Sequence, residues 1–244
     1  MARFRTTSRK PYGFTLVEVL VVAFITLLLT LVLVAEYTQS AAAVDMATSR
    51  VEMQQVGRRV LDRLTPYLSS AVDRGSIPAV DFPNINQFDP TEYIIFNSTE
   101  NFLAPGYDPR VIPPLGFFDG LDYPTFTYVV WFEDDAVADP AVDIDQNDED
   151  NVVMLGRLIG AYDRNNPFPS LDPTVDPVVL ARGNRGPERA DGAELVNVEF
   201  RRRLTNAIEI SVTTRAQFRE AHGNRREDDT TLVSVVQLPS QTTR

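Results

Sequence analysis

Lys10–Ala35 reads KPYGFTLVEVLVVAFITLLLTLVLVA. From Phe14 to Ala35 the stretch runs apolar for 22 residues, broken by one charge, Glu18. An apolar run of about 20 residues is long enough to cross a bilayer as a helix. A carboxylate near the centre of such a run costs about 2.5–3.5 kcal/mol on insertion scales. Glu18 stands near the start of the run, so it partly reaches the interface, but it still demands a partner. Arg3, Arg5, Arg9 and Lys10 precede the run, with no acid among them. Basic flanks stay cytoplasmic, which places the C-terminal bulk outside the cytoplasmic membrane.

Gly13-Phe14-Thr15-Leu16-Val17-Glu18, set immediately before the long apolar run, resembles the processing motif of type IV prepilins and of the pseudopilins of type II secretion. The resemblance implies that a membrane prepilin peptidase cleaves after Gly13 and N-methylates the new first residue, Phe14. It also implies that Glu18 attracts the amino terminus of a neighbouring subunit during assembly. In a low dielectric an isolated carboxylate and an isolated ammonium are both costly, and pairing relieves both. The implied partners are the peptidase, the cytoplasmic membrane and other pilin or pseudopilin subunits, met through the N-terminal helix.

Two plainer readings compete. A cleaved signal peptide has a basic start, an apolar core of roughly 7–15 residues and a small-residue site. The basic start is present and Ala41-Ala42-Ala43 is an eligible site, but the apolar run is too long and Glu18 is unexplained. A single-pass anchor fits the length and leaves both Glu18 and Gly13-Phe14 as accidents.

The 244 residues suffice for one domain of ordinary size beyond the anchor. The formal charge is −11; losing the four basic residues of the leader leaves 19 basic against 34 acidic residues, a charge of −15. Such a surface repels phosphate backbones, so no nucleic-acid partner is expected. Cysteine is absent, so an exported head is held by its core alone. Many major pilins close a C-terminal loop with a disulfide; the departure points toward a minor or pseudopilin-type subunit.

Beyond Ala35 the chain turns polar, yet Met53, Val56, Val60, Leu64 and Leu68 recur at three- and four-residue intervals. That spacing predicts one amphipathic helical stripe, with Arg50, Glu52, Arg58, Arg59, Asp62 and Arg63 largely off it. Gly57 is tolerable within a helix, and Pro66 marks its end or a kink. The predicted organisation is a leader at 1–13, a transmembrane or filament-core half-helix at 14–35, an amphipathic half at 36–68 and a globular, β-rich head at 69–244.

Within the head, residues 69–90 are turn-rich. Glu92–Asn97 and Thr125–Glu133 are predicted strands. Val152–Ile159 returns as the second arm of a hairpin across an acidic loop, and Pro177–Leu180 is a short strand. Ala193–Leu204 and Ala207–Thr214 form a hairpin turned at Thr205-Asn206, and Thr230–Leu238 is the last strand. The fold class is α+β: one long helix packed on a mainly antiparallel sheet. The final three strands resemble the tails of the larger minor subunits, the J-type pseudopilins and W-type minor pilins.

Sites for chemistry are sparse. His222 is the only histidine, set in the polar segment HGNRRED, and no G-x-S-x-G element accompanies it; catalysis is not expected. Asp143, Asp145 and Asn147 alternate as do the first ligands of an EF-hand loop, with Asp148 following. The match then fails, because position six is Asp148 instead of glycine and position twelve is Met154 instead of glutamate. A solvated acidic loop and a calcium-stabilised one both remain open there; no other cofactor is implied. Arg201-Arg202-Arg203 reads either as a docking patch or as a solvent-facing row paired with acids of the same chain. Asp45, Arg50 and Glu52 are candidates for pairing between subunits. The expected function is therefore that of a minor pilin or pseudopilin in a type IV pilus-like or type II secretion filament. The alternative is a membrane-anchored extracytoplasmic binding module or adhesin outside any filament.

Overall fold

A computed structural model describes residues 15–72, 79–83, 89–104, 125–134, 151–182, 192–204, 207–220 and 224–238. Its organising element is a single helix, α1 (Leu16–Ser69), of 54 residues. At 1.5 Å per residue this is about 80 Å long. Straight-chain and apolar residues dominate it, and no glycine or proline interrupts it before Gly57. Pro66 does not end the helix: α1 runs on through Tyr67 and Leu68 to Ser69. Both of those side chains are buried in the head, and tertiary packing carries the last turn past the proline. Ser70 then closes the end, its N–H and hydroxyl both donating to the Tyr67 carbonyl.

Among the described residues the head is built from two antiparallel sheets where the sequence suggested one. The first has five strands in the order β1 (Val80–Asp81), β2 (Tyr93–Ser98), β3 (Phe126–Glu133), β4 (Val152–Leu158) and β5 (Val178–Arg182). The second has three: β6 (Glu194–Leu204), β7 (Ala207–Arg219) and β8 (Arg225–Gln237). The β3–β4 and β6–β7 hairpins form as the sequence predicted, with Glu133 opposite Val152 and Leu204 opposite Ala207. Strand β1 arises inside the turn-rich stretch, held by pairing to β2. Strands β7 and β8 reach further than their apolar segments. Arg215 binds Asp229 (Nε to Oδ1 2.8 Å) and Gln217 donates to Glu227 (2.6 Å), so charged residues with loop-like composition continue the ladder. The two sheets meet where Thr91 and Phe200 exchange a pair of backbone hydrogen bonds of 2.9 and 2.8 Å.

One stripe of α1 closes the core. Met53, Val56, Val60, Leu64 and Leu68 are fully buried, and Arg58, Arg59, Asp62 and Arg63 lie exposed off the stripe. The main cluster joins Val60, Leu64 and Leu68 to Phe96, Tyr128 and Leu155 of the first sheet and to Phe200, Ile210 and Val212 of the second. Gly57 sets how closely β8 approaches: a Cβ there would lie 2.7 Å from Leu232 Cδ1 and 3.3 Å from its Cγ.

The five-stranded sheet is buried on its other face too. Ile95, Val129, Trp131 and Met154 pack beneath Tyr162, Phe168 and Leu171 of the segment between β4 and β5. This two-sided burial explains why β2 and β3 read as continuous apolar runs instead of alternating ones. Gly156 permits the covering segment to sit down, because a Cβ there would lie 2.5 Å from Leu171 Cδ2 and 3.1 Å from Trp131 Cζ3. Asp172 anchors the segment. Its Oδ1 accepts from the Thr174 hydroxyl (2.6 Å) and N–H (2.9 Å), its Oδ2 from Arg157 Nε (2.8 Å) and Nη2. The carboxylate is 4 % exposed. The Thr174 donors first, then Arg157, hold it at about 2 instead of the ordinary 3.8.

A carboxylate depressed in the folded state stabilises the fold fully above its unfolded value and progressively less as pH falls toward the folded one. Acid unfolding of the head, followed by the single tryptophan, Trp131, is therefore expected to steepen between about pH 4 and pH 2. Asp172→Asn should flatten that window; an unchanged acid limb would dismiss the anchor. Gly57→Val should cost about 1–3 kcal/mol in urea unfolding through overpacking against Leu232. Wild-type stability of that variant would show that β8 gives way freely.

Candidate functional site

The first turn of α1 is a capping box. Thr15 is the N-cap, in an extended conformation at φ −74° and ψ 149°. Its hydroxyl accepts from the Glu18 N–H at 3.3 Å, and Glu18 Oε2 accepts from the Thr15 N–H at 2.9 Å and from its hydroxyl at 3.0 Å. Two of the helix's orphan amides are thereby satisfied reciprocally. The carboxylate that looked unpartnered in the sequence has a partner three residues away. Thr15 went unread as a functional residue, although the Thr-x-x-Glu spacing is itself an N-terminus signature. Gly13 and Phe14, the expected cleavage pair, lie outside the described residues.

Downstream of the box the helix presents apolar side chains on every side. Leu16, Leu20, Phe24, Leu27 and Leu31 are all exposed to about half or more, and no residue from 16 to 48 is buried. By length and composition this is the one helix among the described residues able to cross a membrane. Its two interior threonines need no outside partner: Thr26 and Thr30 donate their hydroxyls to the Val22 and Thr26 carbonyls, each at 2.8 Å. Glu36 and Tyr37 end the apolar run, an acid and an amphipathic ring of the kind found at a membrane–water boundary. Burial begins only at Ser49, where the head takes over.

The other candidate residues fall differently. Arg50 pairs with Asp228 of β8 at 3.3 Å, so it ties helix to head within the chain. Arg203 pairs with Glu209, which is nearly buried, and the Arg202 guanidinium sits 5.9 Å from the Phe82 ring centroid. The arginine run is therefore largely occupied internally. Asp143, Asp145, Asn147 and Asp148, the candidate calcium ligands, lie outside the described residues, as does His222.

Residues 8–34 match the family model of the prokaryotic N-terminal methylation motif. The matched segment contains the capping box and nearly all of the apolar run, and ends before the amphipathic half of α1. No curated protein and no solved structure matches the chain.

Thr15→Val removes the hydroxyl that joins Thr15 and Glu18. The expected result in detergent micelles is fraying of the first turn, about 1 kcal/mol of lost capping, read from the amide shifts of Val17 and Glu18. Thr15→Ser should restore the wild-type shifts; if Thr15→Val itself kept them, the hydroxyl would have no part in the cap.

Proposed function

We propose that this chain, which carries the N-terminal methylation motif at residues 8–34, is a minor pilin or pseudopilin, a structural subunit of a type IV pilus-like or type II secretion filament. The observation that carries the reading is the motif at residues 8–34, whose apolar run belongs to a helix that continues unbroken into the core of a β-rich head. Residues 1–13 are a leader removed after Gly13, and Phe14 is the methylated first residue. Residues 14–35 lie first in the cytoplasmic membrane and then among neighbouring helices. Residues 36–68 carry the head, 69–244, outside the cytoplasm.

The work of such a subunit is association. Exposed leucines, valines and Phe24 have no packing partner among the described residues, and in a filament they pack against like helices. Glu18 is the polar group of that contact: in the single chain it is held by Thr15, and in assembly it exchanges or shares that bond with the ammonium of a neighbour's first residue. In low dielectric an ammonium neutralises the carboxylate's charge, which the uncharged Thr15 donors of the cap do not. The length of the chain and the two-sheet head favour a large minor subunit of the J or W type, seated where its bulk is not repeated along a shaft.

Intact mass and N-terminal sequencing of membrane-extracted protein, with and without a prepilin peptidase, test the route. The expected product begins at N-methylated Phe14 only when the peptidase is present. A chain beginning at Met1 in both samples would overturn the proposal in favour of a plain anchor. Glu18→Ala is expected to be processed normally but to fall several-fold in sheared filaments; wild-type incorporation would remove Glu18 from assembly.

A further inference from the structure

Among the described residues the two sheets have four edges, and three of them are protected against pairing with another strand. Strand β1 is two residues long. Strand β5 is five residues long, follows Pro177, ends at Arg182 and lies beside α1. Strand β6 is bulged near Leu195 and near Arg202, and Thr91 pairs with Phe200 along it. Short length, proline, charge, bulges and cover are the usual defences of a sheet edge.

Strand β8 differs. Among the described residues its only strand neighbour is β7, along 13 consecutive register pairs. Its first five residues, Arg225-Arg226-Glu227-Asp228-Asp229, carry charge; the next eight, Thr230–Gln237, carry none and contain no proline or glycine. On the face away from α1, Val233 and Val235 remain 57 % and 54 % exposed. Among the described residues, half of this edge is defended by charge and half is left open.

A second copy of the chain is a poor occupant, for a geometric reason. Arg50 meets Asp228, Met53 lies by Thr214 opposite Thr230, and Gly57 meets Leu232, so β8 advances in the same direction as α1. Seven helical residues advance about 10 Å and four strand residues about 13 Å, so the two elements run nearly side by side. Two identical edges join isologously in antiparallel fashion, about a two-fold axis normal to the shared sheet. That operation reverses every direction in the sheet plane, so the partner's α1 would point the opposite way. Two such apolar helices cannot enter one membrane from the same side, nor lie parallel in one filament.

We infer that the Thr230–Gln237 edge of β8 receives an extended, uncharged segment of a different polypeptide as a fourth strand of the second sheet. An edge of outward N–H and C=O groups at strand spacing is matched group for group by another extended backbone, and the exposed valines select β-branched or apolar residues at alternate positions of the guest. The inference goes beyond the filament reading and holds whether or not the chain is processed at Gly13.

The test is backbone hydrogen exchange on the full chain in detergent micelles. The probe is an acetylated and amidated heptapeptide of alternating Thr and Val, and the control is the same peptide with its central Val replaced by Pro. The expected result is a roughly tenfold slowing at alternate amides between Thr230 and Gln237 with the probe, absent with the control. The double variant V233K/V235K should lose this protection while its β7 amides exchange as in wild type without peptide. No slowing, or equal slowing with the proline peptide, would overturn the inference. So would a peptide-free dimer in sedimentation that already protects the same amides, which would name a second copy as the occupant.

Discussion

Five side chains of α1 hold the head together. Val60, Leu64 and Leu68 lie in one apolar cluster with residues of both sheets, and Met53 and Val56 extend the stripe against Ala193 and Ala216, while the sheets also meet through the backbone pairing of Thr91 with Phe200. Removing water from such a stripe is the dominant favourable contribution to folding, and without a disulfide nothing covalent supplements it. The helix is therefore an internal part of the head from Ser49 onward. The same element, 30 residues earlier, has no interior at all.

This division explains why two physical regimes coexist in one uninterrupted helix. Up to Ala35 the side chains are apolar around the whole circumference, the pattern for a helix surrounded by apolar matter. From Ser49 the apolar residues narrow to a stripe and charges fill the remainder. The polar groups of the first regime are satisfied locally, Glu18 by Thr15 and the threonines by the preceding turn. In the second regime they reach across to the sheet, as Arg50 does to Asp228.

Much of this was legible before any coordinates. The helical stripe, the β3–β4 hairpin and the β6–β7 hairpin follow from spacing and from β-branched and aromatic runs, because burial imposes those periods directly. The split into two sheets was not legible, since it rests on which edges meet and not on the composition of any strand. The ends of β7 and β8 were missed because Arg215, Gln217, Glu227 and Asp229 look like loop residues until they stand opposite one another. At the N-terminus, Glu18 drew notice as an isolated charge, whereas its partner Thr15 is an ordinary residue whose role depends on where the helix begins. For the arginine run, the reading as a row paired with acids of the same chain holds at Arg203, which meets Glu209, whereas the Phe82 ring beside Arg202 could not be read from spacing.

Thirteen residues, 36–48, separate the end of the apolar run from the first buried position of α1, and none of them is buried. At 1.5 Å each they amount to a strut of about 20 Å. Three consecutive alanines stand at its middle, and it contains neither glycine nor proline, so it resists bending as well as a single unsupported helix can. Load applied to the head is thus transmitted along one backbone to the first turn instead of being absorbed in a hinge. The orientation of the head about the helix axis is fixed by the same rigidity, so rotating one end by a given angle rotates the other.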